Sequence, residues 1–158
     1  MNYIVVDFEW NQSPYGKSSA NKRLPFEIIE IGAVKIDANG QEIGQFSQIV
    51  KPKVYKKLHH ITKNLTGISE KELNEGRPFR EVMEEFLAWC GEDYMFCTWG
   101  NLDLLELQRN LKFFHMEEML GGPITYHNVQ KLFRLFYTDE NSTASLEYAI
   151  EYLNLKKD

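Results

Sequence analysis

Asp7 and Glu9 stand two residues apart at the end of a short β-branched and aromatic run, Tyr3-Ile4-Val5-Val6-Asp7-Phe8. Side chains alternate across a strand, so positions two apart share a face, and two carboxylates on one face can share one cation. Without a cation or a proton they repel each other while the run they close desolvates them. A third acid, Asp103, follows Thr98-Trp99-Gly100-Asn101-Leu102. There a strand gives way to a helix, which is where α/β sheets favour ligand sites. If the two strands are neighbours, three hard oxygen donors converge, a set that suits Mg²⁺ or Mn²⁺ rather than zinc. Each acid also has a plainer reading: an edge strand with a wet face for the pair, a first-turn helix carboxylate meeting free amides for Asp103.

The elements that must position these acids can be read from the periodicity. Residues 3–8 read as a central strand packed on both faces, and the polar stretch 11–24 as an exposed loop. Residues 26–37 and 42–50 read as two strands joined by the Asn39-Gly40 turn of a hairpin. Short helical pieces follow Pro52, including a capping-box pattern of Ser69 with Glu72. Phe79, Val82, Met83, Phe86, Leu87 and Cys90 recur at helical spacing after Pro78, and Gly91 closes that helix. A fourth strand is expected over 94–99, and helices over 102–114, 129–136 and 145–153, with a short strand near 124–127. A hairpin followed by alternating helices and strands implies a mixed sheet with helices on its faces.

Length and composition are those of one globular domain: 158 residues, 43% hydrophobic and 26% charged. That balance excludes a disordered chain, a fibre or a repeat array. No apolar stretch approaches membrane-helix length and no signal-peptide pattern opens the chain, so a cytoplasmic protein is expected. Cys90 and Cys97 lack zinc spacing and read as buried thiols. The net charge of -5 argues against bulk electrostatic capture of nucleic acid, yet residues 1–68 carry 9 basic and 6 acidic side chains while the rest carry 9 and 17. The basic excess is densest in 51–63, where Lys51, Lys53, Lys56, Lys57 and Lys63 occur with His59, His60 and no acid. This run reads either as a solvated loop or as a contact to a phosphate backbone.

Val6-Asp7-Phe8-Glu9-Trp10 resembles the first motif of the DEDD superfamily of 3′-to-5′ exonucleases, in the DnaQ-like branch of the DEDDh type. Phe26-Glu27-Ile28-Ile29-Glu30-Ile31-Gly32-Ala33-Val34 resembles that family's second strand, Leu65-Thr66-Gly67-Ile68 its stretch beside the terminal nucleotides, and Trp99-Gly100-Asn101-Leu102-Asp103 its second acidic motif. The resemblance runs through nearly the whole chain in the expected order. Within the branch it is closest to small exonucleases that trim histone mRNA and small RNAs, and to sporulation-inhibitor homologues.

The resemblance implies an α/β ribonuclease H-like fold, a mixed five-stranded sheet flanked by helices, as a single domain over residues 1–158. It implies hydrolysis at 3′ ends of single-stranded RNA or DNA, RNA slightly preferred, with release of nucleoside monophosphates. Two Mg²⁺ or Mn²⁺ ions would be held by Asp7, Glu9 and Asp103, Asp7 touching both. Phe8 or Trp10 would stack on a base, Leu65 and Ile68 would wedge terminal bases, and Thr66, Gly67, Trp99 and Asn101 would complete the substrate surface. The family's third motif, a histidine five residues before a fourth aspartate, has no counterpart: Asp158 lacks such a histidine and Asp139 comes too early. His59, His60, His115 and His127 lack that spacing and read as surface or core residues. The expectation is therefore a domain lacking the third motif, either a truncated chain or a short form without chemistry. Two further readings stand beside the nuclease: a non-catalytic module binding nucleic acid or protein, and a proofreading subunit docked on a polymerase.

Overall fold

The computed structural model describes residues 1–138 and 144–156. Asp139 and Asp158, both weighed above as acids, lie outside the described residues.

Five strands form one sheet: β1 (Asn2–Asn11), β2 (Glu27–Ile36), β3 (Glu42–Ile49), β4 (Tyr94–Thr98) and β5 (Tyr126–Asn128), in the order β3-β2-β1-β4-β5. β1 runs antiparallel to β2 and parallel to β4, while β3 is antiparallel to β2 and β5 parallel to β4. The hairpin turns at Gly40, whose φ of 79° is one that L side chains rarely adopt. Six α-helices are described: α1 (His60–Thr66), α2 (Glu70–Glu75), α3 (Phe79–Cys90), α4 (Leu102–Phe113), α5 (Val129–Tyr137) and α6 (Leu146–Tyr152).

Local chemistry sets the helix ends. Ser69 and Glu72 close a reciprocal capping box on α2, Asn128 and Ser145 cap α5 and α6, and Gly67 in left-handed conformation stops α1. The apolar faces of α3 and α4 cover one side of the sheet. Ile4, Val6 and Phe8 of β1 interdigitate there with Phe46, Phe86, Phe96 and Leu107. A smaller cluster of Ile29, Leu58, Ile68 and Leu73 secures α1 and α2 beside β2, and Phe133 with Ala144 and Ala149 packs α5 and α6. The two cysteines are buried free thiols, and burial pushes Cys90 up to about 12.

The expectation that β1 is packed on both faces is corrected. Ile4, Val6 and Phe8 are buried, but Val5 is 41% exposed and Asp7 is exposed, because α5 and α6 cover the second face only in part. An apolar groove of about 550 Å³ remains there, lined by Val5, Trp99, Leu132, Phe136, Leu146 and Leu153, with Asp7 on its margin. Among the described residues no helix is long and apolar enough to cross a membrane.

Candidate active site

β1 is longer than the strand beside it. Its ladder with β4 covers only Asn2 to Val5, so residues 7–9 project past the end of β4. The backbone amide of Phe8 therefore lacks a strand partner on that side, and it donates to Asp103 Oδ1 at 3.1 Å. Asp103 occupies the first turn of α4 and is 9% exposed. The expected adjacency of the first and fourth strands thus brings Asp103 near the acid pair: its carboxylate accepts from the Phe8 amide, and its charge acts on Asp7 and Glu9.

Electrostatics follow from this crowding. Asp7 is raised above the usual carboxylate range by desolvation and then by the charge of Asp103. Glu9 is pushed up to about 6, first by desolvation and then by Asp7, Glu30 and Asp103. Desolvation also raises Asp103, opposed by hydrogen bonds from the Phe8 amide and its own. Glu30 enters because it stands directly across the antiparallel ladder from Glu9, next to a register shift. Like charges in that position repel. Three carboxylates that resist ionisation together form a site that a proton or a cation relieves. Among the described residues no group of three or more His, Cys, Asp and Glu side chains is drawn together closely enough to hold a metal ion. The acids share a field without closing into a cage.

The residues expected to hold substrate fall into two groups. Leu65 is 80% exposed on the last turn of α1, and Asn101 is exposed at the start of α4. Trp10 is partly buried, with its ring centroid 5.7 Å from that of Phe26. Trp99 is partly buried against Phe133, and its indole N–H has no hydrogen-bond partner among the described residues. Phe8 and Ile68 are corrections: at 2% and 6% exposed they are core residues, with no free face for a base. Thr66 and Gly67 shape the backbone instead. The Thr66 hydroxyl donates to Thr62 O and accepts from the Ile68 amide, and Gly67 supplies the left-handed turn.

Several positioning residues escaped the sequence reading. Asn11, wholly buried at the end of β1, donates to the carbonyls of Tyr55 (2.8 Å) and Lys57 (2.9 Å) and accepts from the His59 amide. Glu27, 2% exposed, accepts from the amides of Lys53, Val54 and Tyr55. Thr62 of α1 donates to the Trp10 carbonyl, tying that helix to the acid end of β1. Asn110 bridges α4 to the Ile28 amide and the Phe26 carbonyl. Glu106, one turn beyond Asp103 and fully buried, pairs with Arg109 through Oε1, while Oε2 has no partner among the described residues. The one available signal was an acid inside the apolar run Phe26-Glu27-Ile28-Ile29.

Comparison with known proteins agrees with this architecture. The RNase T family model, described as exonuclease, matches residues 5–158. The probable 3′-5′ exonuclease KapD of Bacillus subtilis is 30% identical over 150 residues, covering 94% of this chain and 71% of that protein. Human ERI1 exoribonuclease 2 is 32% identical over 90 residues, which is 54% of this chain and 12% of that protein. The solved nuclease domain of 3′hExo, a DEDDh family member bound to rAMP, superposes with a TM-score of 0.82 over 99% of this chain and 80% of that one, at 21% identity.

Proposed function

Because this chain belongs to the RNase T family of exonucleases, we propose that its acid site hydrolyses phosphodiester bonds at the 3′ ends of single-stranded nucleic acid, RNA slightly preferred over DNA. The products are nucleoside monophosphates, and residues 1–158 belong to one exonuclease domain that lacks the family's third motif. The observation that carries the reading is that Asp103, anchored on the Phe8 amide where β1 outruns β4, lies within electrostatic reach of Asp7 and Glu9.

The donor chemistry of these residues suits a hard divalent cation, although their side chains are not drawn into a cage: the donors are all carboxylate oxygens, and their mutual repulsion is relieved by positive charge. Asp7, Glu9 and Asp103 would hold it, Mg²⁺ or Mn²⁺, as one ion or two. Bound there, it would activate water and offset charge on the scissile phosphate and the leaving oxygen. Asp103 is fixed before substrate arrives, since the Phe8 amide holds one of its oxygens. Glu9, pushed up to about 6, is largely ionised at neutral pH, where its charge would attract a cation. Leu65, exposed on the helix that Thr62 ties to Trp10, offers an apolar contact for the terminal base. No histidine stands five residues before an aspartate in these 158 residues, so the proton of the attacking water is assigned to no histidine here.

The deciding experiment is incubation of 5′-labelled single-stranded RNA, and DNA of the same sequence, with Mn²⁺ and either the wild-type chain or its Asp7→Asn variant. A ladder shortening from the 3′ end with wild type alone supports the reading. RNA that stays bound but intact with both proteins would make the domain a binding module.

A further inference from the structure

The acids leave unexplained a costly piece of buried polar construction beside them. Asn11 and Glu27 together take up the backbone of residues 53–59, so the lysine-rich run is held in one shape rather than left as a solvated loop. The Tyr55 hydroxyl donates to Leu24 O at 2.7 Å and accepts from the Asn21 amide at 2.8 Å, and Ser13 and Ser19 bond through their hydroxyls. These contacts lock the 12–25 segment against the 53–59 segment. Burying polar groups is unfavourable unless every one is matched, and here matched groups serve to define a surface.

That surface consists of two clefts of about 430 and 620 Å³ that share Ser13, Ala20 and Asn21. Lys17 and Lys22 line the first, Lys56 and Lys57 the second, and no acid lines either, in a protein of net charge -5. Tyr15 stands 75% exposed at the second cleft, with Lys57 Nζ 5.7 Å from its ring centroid. Gln12, three residues along the chain from Glu9 and one past the end of β1, lines the first. A positively lined groove carrying an open aromatic ring is the surface that holds single strands without reading their sequence.

We propose that these clefts form an upstream track for the substrate strand, with Lys17, Lys22, Lys56 and Lys57 against successive phosphates and Tyr15 stacked on a base. The track rests on the exonuclease reading of the acid site and deepens it: the enzyme grips nucleotides several positions from the bond it cuts, which makes it sensitive to substrate length. The lysines supply locally the attraction that the net charge denies, and their rigid setting lowers the entropy lost on binding.

The test compares wild type with Tyr15→Ala and with Lys17→Ala/Lys22→Ala on 5′-labelled oligouridylates from a dinucleotide to about a dozen nucleotides. In parallel, fluorescence anisotropy follows binding of the longest strand across a salt series. The expected result is a loss of roughly tenfold on the long strand in each variant. The dinucleotide is expected to be cut by the variants at a rate much nearer that of wild type. The slope of log affinity against log salt should fall by about one per lysine removed. Equal losses at all lengths, or an unchanged salt slope, would overturn the track. If wild type cuts nothing, the anisotropy arm still decides: reduced affinity and slope uphold the track while the hydrolytic reading fails, and unchanged binding removes both.

Discussion

The amide of Phe8 and the carboxylate of Asp103, 95 residues apart, meet at 3.1 Å where β1 projects past the end of β4. One hydrogen bond thus serves the fold and the site together. It satisfies a strand amide that has no ladder partner on that side, and it sets the third acid beside the first two.

Substitutions at Asp103 separate those roles. Asp103→Asn keeps an oxygen for the Phe8 amide, so the protein should unfold in urea within about 1 kcal/mol of wild type. Its Mn²⁺-dependent degradation of RNA should fall at least about 100-fold. Asp103→Ala should also destabilise, by roughly 1–3 kcal/mol, because the buried amide is left unmatched. Full activity in Asp103→Asn would remove Asp103 from the catalytic set.

Glu9 gives stability without metal a pH dependence of defined sign. Its carboxyl is raised from 4.5 to about 6, so between these values the folded protein binds more protons than the unfolded chain. The stabilisation is complete below about 4.5 and is lost as pH rises through about 6. In the presence of chelator, urea midpoints should decline across that window, and Glu9→Gln should flatten the decline and raise the midpoint at pH 8 or so. A steeper decline in Glu9→Gln would refute the assignment.

Asn11 and Glu27 should behave as structural keystones of the basic segment. Asn11→Ala strands two carbonyls and one amide, and Glu27→Ala strands three amides. Each should cost about 2–4 kcal/mol in urea unfolding. Amide hydrogen exchange of residues 53–59 should accelerate in both. Slow exchange retained there would show that other contacts hold the segment.

Leu65 and Ile68 were expected to act alike and are separated by burial. Ile68→Ala should lower stability by roughly 2–4 kcal/mol, as truncation within a packed cluster does. Leu65→Ala should leave stability within about 0.5 kcal/mol while raising KM for RNA, since its side chain is open to solvent. The reverse pattern in thermal unfolding and steady-state kinetics would reassign both.

Local patterns carried much of this protein. The Asn39-Gly40 turn, the Ser69 and Glu72 box, the helical spacing from Phe79 to Cys90 and the two-residue step from Asp7 to Glu9 depend on neighbours within about a turn or a strand repeat, so the sequence alone determined them. It also determined that a third acid would stand at a strand-to-helix junction. Tertiary structure decided everything set by partners far along the chain. The parallel pairing of β1 with β4 placed Asp103, and the antiparallel register added Glu30 opposite Glu9. Packing from α3 and α4 took Phe8 into the core, and Ile29, Leu58 and Leu73 enclosed Ile68. Composition cannot separate a buried asparagine or glutamate from a surface one. Asn11 and Glu27 became keystones only because folding brought unmatched backbone groups of residues 53–59 within hydrogen-bond reach, where an unpaired group costs more than the buried side chain.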